Sequence, residues 1–427
     1  MLSHYRRLFH EVLADPRLPD VVLLTLSEIR NQYAAFMNKA PRMKRNFRYE
    51  AHTIRNPESA SARACWALSK SHALCLTGTP AQNKLRDLHP LLKFLDVESK
   101  GLNDLATFTA SVTIPYGAGK IVKATELLVG VLSECMIYRP KGTGPGAVQL
   151  PKLHDAIIVP VYLTPAEREV YRYIKSVHPF KSHWAKIVRL RQAVDHPALL
   201  TKALHGGDIG PKPDDTSDQM RVLLDESNAE ANEIIAQDVP LGTLPASLKK
   251  HAAIFKPTYL SSKFEALWGI LKRIPAGEKV IVFSHFLTNL DMLAESLSEN
   301  RMSYVNYTGR MEPSERAAAL DKIRNDKGCS VLLLSIMAGG TGLDIPACNH
   351  VVLIEPWWNP TSRSVEQAIS RVHRIGQVRE VRVYKLLVKD SIEDSIIKTQ
   401  DAKKEVIGGL LSLCTVPDVD EMRKWLA

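Results

Sequence analysis

Ser335-Ile-Met-Ala-Gly339-Gly340-Thr341-Gly342-Leu-Asp344, then His350-Val-Val-Leu-Ile-Glu355, then Pro356-Trp-Trp358-Asn359-Pro360 and a polar run carrying Gln367, Arg371, Arg374 and Gln377: the order of these pieces decides how the chain folds. A glycine cluster between an apolar run and the next element lets backbone N–H groups approach a phosphate that a Cβ would hold off. His350 to Glu355 reads as a buried strand. The polar run reads as a helix on which Arg371 and Arg374, three apart, share one face and can present fork-shaped donors to a triphosphate. Singly these signs are weak, because Gly-Gly-x-Gly is most often a turn and Arg-x-x-Arg most often a solvated helix face.

Outward from this stretch the pattern stays regular. Lys263 to Arg273 puts Phe264, Leu267, Trp268 and Leu271 on one helical face, and Lys279 to Ser284 is a fully apolar strand. A helix over Asn289 to Leu297 and a strand over Ser303 to Tyr307 follow. Pro313 opens another helix from its first turn, and Cys329 to Ser335 is the strand that leads into the glycines. A strand over Val381 to Val388 and a helix over Ser391 to Lys404 complete the series. Strands alternating with helices predict right-handed crossovers and a parallel sheet.

Towards the N-terminus, Asp20 to Thr25 reads as a short buried strand and Ser27 to Met37 as a helix. Tyr49-Glu50-Ala51-His52-Thr-Ile-Arg-Asn-Pro57 comes next, without an apolar strand in the preceding Arg45-Asn-Phe-Arg48. Leu74-Cys-Leu-Thr77-Gly78-Thr79-Pro80-Ala-Gln82-Asn83 is a strand running into a polar turn, followed by an amphipathic segment from Asp87 to Leu95. Met136-Ile-Tyr-Arg139-Pro-Lys141, Leu163-Thr-Pro-Ala-Glu167-Arg168 and Arg189-Leu-Arg191-Gln-Ala-Val-Asp195-His196-Pro197 are the remaining quotable runs. His196 reads as a satisfied core or cap histidine rather than a catalytic one.

Taken together, Gln367-Ala-x-x-Arg371-x-His373-Arg374-Ile-Gly-Gln377, Trp358-Asn359-Pro360, Thr-Gly-Thr-Pro-Ala-Gln-Asn and Glu50-Ala-His52 with its Ile-Arg-Asn-Pro resemble the motifs of Swi/Snf-type helicase-like ATPases of superfamily two. The resemblance implies an α/β fold of two RecA-like lobes. Residues 1–100 would form a partial first lobe, 101–255 a helical insertion and linker with a mobile segment near 205–250, 256–405 a complete second lobe, and 406–427 a tail. It implies a DNA-dependent ATPase that moves along duplex DNA, with ATP and Mg²⁺ as cofactors. Nucleosomes or chromatin proteins would be further partners, and the nucleus the place of work.

Residue by residue, the resemblance makes Glu50 the water-orienting acid, and Arg371 and Arg374 the donors that stabilise charge on the γ-phosphoryl. Gln367, Gly340, Gly342 and Asp344 would lie at the nucleotide, although asparagine is common in the family where Asp344 stands. His52, Thr77, Gly78 and Thr79 would couple nucleotide to DNA. Ser284, His285, Thr308, Gly309, Ser335, Gly339, Thr341, Trp358 and Asn359 would meet DNA.

Two departures carry chemistry. Tyr49 stands where the family has the aspartate that holds Mg²⁺, and a phenol that ionises near pH 10 is a poor ligand for a hard cation. No Gly-x-x-x-x-Gly-Lys-Ser/Thr phosphate loop occurs in the 427 residues; Gly117-Ala-Gly119-Lys120-Ile121 is too short and lacks the hydroxyl. Binding of ATP and Mg²⁺ by this chain is therefore in doubt. A first lobe without its central strand should show unpaired edges and apolar faces. Three readings stay open: a piece of a DNA-stimulated translocase with hydrolysis absent or feeble, a non-enzymatic DNA- or chromatin-binding remnant acting through the second lobe, and an ATPase that borrows its phosphate loop from another chain.

The composition agrees with an intracellular anion-binding protein. Net charge is +10, from 56 Lys and Arg against 46 Asp and Glu, which permits nucleic acid without requiring it. The six cysteines stand singly, with none between Cys135 and Cys329, so neither a disulfide framework, a zinc site nor the RING module that some relatives insert is expected. No apolar run has the length of a membrane span.

Overall fold

The computed structural model describes residues 29, 43–49, 51–68, 70–78, 80–81, 85–137, 149–176, 183–200, 246–336, 338, 343–356 and 363–398. The chain divides into two compact units, one within residues 1–139 and one within 140–405.

In the first unit, β1 (Met43–Tyr49) runs parallel to β2 (Lys70–Leu76), from Met43 opposite Lys70 to Tyr49 opposite Leu76. The expectation of no strand before Glu50 is thereby corrected. A ladder is made by backbone groups, and β2 supplies their partners whatever the hydropathy of the side chains. Helix α1 (Ala60–Trp66) makes the crossover, started by the Ser59 hydroxyl accepting from the Ala62 amide at 3.1 Å. Among the described residues these two strands form the unit's sheet, and β2 leaves Leu74 41% and Leu76 46% exposed.

Ile54, Ala62, Cys65, Leu91 and Phe94 pack one core beneath α1 and helix α2 (His89–Phe94). A second core joins Leu88 and Leu92 to Phe108 and to Leu128 and Leu132 of α3 (Ile121–Cys135). Residues 105–135, expected in a linker, thus share a core with the segment before residue 100.

In the second unit six strands form one parallel sheet: β3 (Ile157–Val161), β4 (Val280–Ser284), β5 (Tyr304–Tyr307), β6 (Val331–Ser335), β7 (His350–Leu353) and β8 (Arg382–Val388). Their order across the sheet is β3-β8-β7-β4-β6-β5. Every residue of β4, β6 and β7 is buried, because helices cover both faces and the period-two alternation sends side chains to each. Val280, Val282 and Leu333 enter one core with α4 (Pro165–Ser176), α5 (His183–Asp195), α6 (Ser262–Leu271) and α7 (Leu287–Glu299). Ile281, Phe283 and Leu334 enter the opposite core with α8 (Pro313–Asn325) and α9 (Arg363–Val372). A further helix, α10, covers 392–398.

The boundary expected at 256 differs from the structure. β3 lies in the stretch assigned to the linker, yet it pairs with β8 from Ile157 opposite Tyr384 to Val161 opposite Val388. It is an edge strand, where Pro160 and its missing N–H are tolerated. The strand expected over Asp20 to Thr25, and most of the segment near 205–250, lie outside the described residues.

One contact ties α4 to α6. The Thr164 backbone and hydroxyl donate to Glu167 Oε2 at 2.9 and 3.1 Å, while the Ser262 amide donates to Glu167 Oε1 at 2.9 Å and the Ser262 hydroxyl to Oε2. Glu167→Ala removes a buried helix cap and leaves these donors unpaired. It should cost about 1–3 kcal/mol, read as a lower urea midpoint.

Candidate functional site

Because the six strands are parallel, their carboxyl ends lie on one edge of the sheet, the edge at which α/β proteins bind ligands. Three adjacent strands deliver expected residues there: Ser284 at the end of β4 with His285 next to it, Thr308 and Gly309 after β5, and Ser335 at the end of β6; Glu355, to which the sequence reading gave no role, follows β7. Gly309 is exposed, and its carbonyl accepts from Arg316 Nη2 at 2.8 Å. Thr308 is buried, with its amide against Met311 Sδ at 3.4 Å.

Two expectations are corrected at this edge. The Ser284 hydroxyl, fully buried, donates to Glu355 Oε1 at 2.7 Å, so it faces the interior rather than a phosphate. Ser335 is 2% exposed and its hydroxyl is likewise enclosed. Both side chains point inward because each ends a strand that is buried on both faces. His285 is half-buried, and its amide donates to Glu355 Oε2 at 3.1 Å. Gly339, Gly340, Thr341, Gly342, Trp358, Asn359, Glu50 and Thr79 lie outside the described residues. Gln367 is on α9.

The arginine pair does not share one helical face. Arg371 belongs to the last turn of α9 and is 7% exposed, whereas Arg374 lies beyond the helix end with its side chain 42% exposed. Arg374 Nη1 donates to the Leu343 carbonyl at 3.1 Å, and its Nε lies 3.9 Å from Asp344 Oδ1. The helix stops because the chain turns through Gly376 at φ +98°, a conformation that favours glycine. Gln377 Nε2 then donates to the carbonyls of Cys348, Pro346 and Val372 at 2.8, 3.1 and 3.2 Å. Asp344 is therefore a neighbour of the arginine as well as of the glycine loop. In the first unit, His52 Nδ1 and Thr77 Oγ1 lie 3.1 Å apart, so two of the residues expected to couple nucleotide and DNA do meet.

Behind the carboxyl edge lies a charged cluster to which the sequence reading gave no role. Lys263 Nζ donates to Asp195 Oδ1 at 2.6 Å and to Glu393 Oε1 at 2.5 Å, and all three side chains are sealed from solvent. Burial drives the Asp195 and Glu393 carboxyls above their ordinary range against the pull of Lys263. The two acids and neighbouring Glu355 hold the Lys263 ammonium above its ordinary value, overcoming its desolvation. Burial, helped by Arg191 and Lys263, keeps His285 well below the usual imidazole range. His196 and His350 are also lowered by burial, against hydrogen bonds to the Tyr259 carbonyl and Glu278 respectively.

The sign of the linkage follows. An imidazole whose folded pKa is depressed is neutral in both states above the unfolded value near 6.5, and below it only the unfolded chain takes the proton, so stability is lost as pH falls. The raised carboxyls of Asp195 and Glu393 act in the opposite sense, taking up protons in the folded state. Proton NMR separates the two: the ring resonances of His196, His285 and His350 should titrate below the ordinary imidazole midpoint, with His285 well below it. Titration of any of them near 6.5 contradicts the assignment.

Comparison with known proteins matches residues 8–203 to the SNF2-related domain and residues 262–376 to the helicase conserved C-terminal domain. DNA repair protein rad8 of Schizosaccharomyces pombe is 27% identical over 466 residues, covering 84% of this chain and 40% of its own length. DNA repair protein RAD5B of Arabidopsis thaliana is 29% identical over 444 residues, covering 85% of this chain and 34% of its own length. The chain thus spans less than half of these relatives. Among solved structures, the C-terminal part of the Fun30 ATPase domain is 27% identical at a TM-score of 0.42, over 59% of this chain and 89% of that one. With a SNF2-related domain followed by a helicase conserved C-terminal domain, the chain belongs to the SNF2 family of helicase-like ATPases.

Proposed function

We propose that this chain supplies the duplex-DNA-engaging second lobe, and part of the first, of a SNF2-type DNA-dependent translocase. It works in the nucleus on DNA, free or in chromatin, and in repair, the process for which the rad8 and RAD5B relatives are named. The observation that supports the reading is the carboxyl edge of β4-β6-β5, where three adjacent parallel strands end at residues that the resemblance assigns to DNA. Thr308, Gly309 and the segments holding Gly339, Thr341, Trp358 and Asn359 are the contacts we assign to the DNA backbone, whereas the His285 amide is taken by Glu355. Backbone N–H groups and hydroxyls at such an edge position a duplex without reading its sequence.

The donor set for Mg²⁺ and ATP is incomplete in this chain. The second unit offers Arg371 and Arg374, with Asp344 beside Arg374, and the resemblance adds Gln367, Gly340 and Gly342. On the side of the first unit the metal position carries the phenol of Tyr49, Glu50 is left without a partner aspartate, and the phosphate loop has no counterpart in the sequence. These residues do not fit a metal–nucleotide site by themselves, and no hydrolytic step is assigned to them. His52 and Thr77, in contact at 3.1 Å, are the pair to which we assign coupling between nucleotide and DNA.

The test is duplex binding at several salt concentrations, followed by fluorescence anisotropy. The expected plot of log K against log salt is linear, with a slope of about −0.9 for each phosphate neutralised. The slope counts the Lys and Arg side chains that neutralise phosphates, and absence of duplex binding at the lowest salt overturns the assignment.

A further inference from the structure

Glu355 stands directly after the apolar residues that form and extend β7 and is 1% exposed. Its Oε1 accepts from Ser284 Oγ at 2.7 Å and from Asn289 Nδ2 at 3.0 Å, and its Oε2 accepts the amide of His285 at 3.1 Å. The three donors come from the end of β4, the short connection after it and the first turn of α7. The next carbonyl along, that of Pro356, accepts from Arg191 Nη2 at 3.5 Å, and the Arg191 guanidinium lies 5.6 Å from the centre of the Phe286 ring. One carboxylate therefore closes the β4–α7 turn onto the start of the segment after β7, with α5 as a brace.

An apolar side chain would fill this position without demanding partners. A buried carboxylate is tolerated only where its oxygens are satisfied, so its placement is geometrically exacting. No simple substitute satisfies the same donors. Glutamine keeps an oxygen for Ser284 and Asn289 but turns its NH₂ towards the His285 amide, donor against donor. Shape is preserved while one contact is reversed.

We propose that Glu355 is a positioning residue: it locks the end of β4 and the β4–α7 turn against the end of β7, and thereby sets the carboxyl edge of the sheet that we assign to duplex DNA. This rests on the DNA reading above. Glu355 touches no phosphate, and the groups it positions are amides and hydroxyls, which release no counterions. Its loss weakens binding without changing the salt slope.

The experiment compares the wild-type chain with Glu355→Gln and Ser284→Ala by amide hydrogen exchange in the free protein and by duplex-binding salt plots, with urea midpoints to verify folding. Expected for Glu355→Gln are faster exchange at the His285 amide and an affinity lower by about tenfold, the equivalent of one strong hydrogen bond, at unchanged slope. Ser284→Ala should fall between it and wild type. Unchanged exchange at His285 overturns the positioning role whether or not DNA binds. Faster exchange with wild-type affinity overturns its link to DNA while leaving the DNA reading intact. A slope shallower by about one unit also overturns it, because it means a charged contact was lost. If the wild-type chain binds no duplex, the DNA reading fails, and the DNA half of this inference fails with it.

Discussion

Lys263→Met should destabilise the second unit by about 3–5 kcal/mol, the usual cost of removing one partner from a buried ion pair. Lys263 Nζ lies 2.6 Å from Asp195 and 2.5 Å from Glu393, and none of the three side chains reaches water. Methionine has similar volume, so the loss is electrostatic. Two carboxyls would then face each other in a dry interior beside Glu355, and one or both would have to take up a proton. Three elements separate as a result: Asp195 ends α5, Lys263 opens α6, and Glu393 holds the end of β8 by accepting the Val388 amide at 2.8 Å. Urea unfolding reads the loss. Adding Asp195→Asn and Glu393→Gln to the lysine variant should recover much of it, because neutral groups no longer require a counter-charge. A single-variant loss below about 1 kcal/mol, the range of an exposed pair, contradicts the role given to Lys263.

How much of this was legible in the sequence depends on what each element buries. β4, β6 and β7 are covered on both faces and read as continuous apolar runs, so their residues announce them. Phe264, Leu267, Trp268 and Leu271 all proved buried on α6, as their helical spacing indicates. β1 was missed because a ladder needs only backbone partners. β3 was missed because a short run containing Pro160, with Ile157 and Ile158 exposed, gives no core pattern at all.

The charged cluster was hidden for another reason. A lysine on a helix ordinarily reads as solvent-facing, and only the tertiary fold brings in acids 68 and 130 residues away. Glu355 was visible as an acid following an apolar run before a proline, which is a usable signal. Its donors, however, come from a turn about 70 residues upstream. Spacing alone put Arg371 and Arg374 on one face by assuming that the helix continues. Gly376 and the three carbonyl contacts of Gln377 end it first.

The second large effect concerns nucleotide turnover. Phosphoryl transfer is catalysed almost wholly by positioning and electrostatics, and a single well-placed arginine contributes roughly 10³ to 10⁵ in rate. That contribution depends on a substrate held from the other side. On the proposed reading, Tyr49 stands where the resemblance calls for the metal-binding acid, and no phosphate loop occurs in the 427 residues. Arg374 remains beside Asp344 and the Leu343 carbonyl at the rim of an otherwise well-packed second unit. Binding to DNA and hydrolysis of ATP should therefore come apart in this chain.

The direct measurement is ATP turnover by the 427-residue chain with and without duplex DNA, under salt conditions in which DNA binding has been verified. The expected result is a rate at background in both, the same for wild type and Arg374→Ala. DNA-stimulated turnover that Arg374→Ala abolishes would contradict it.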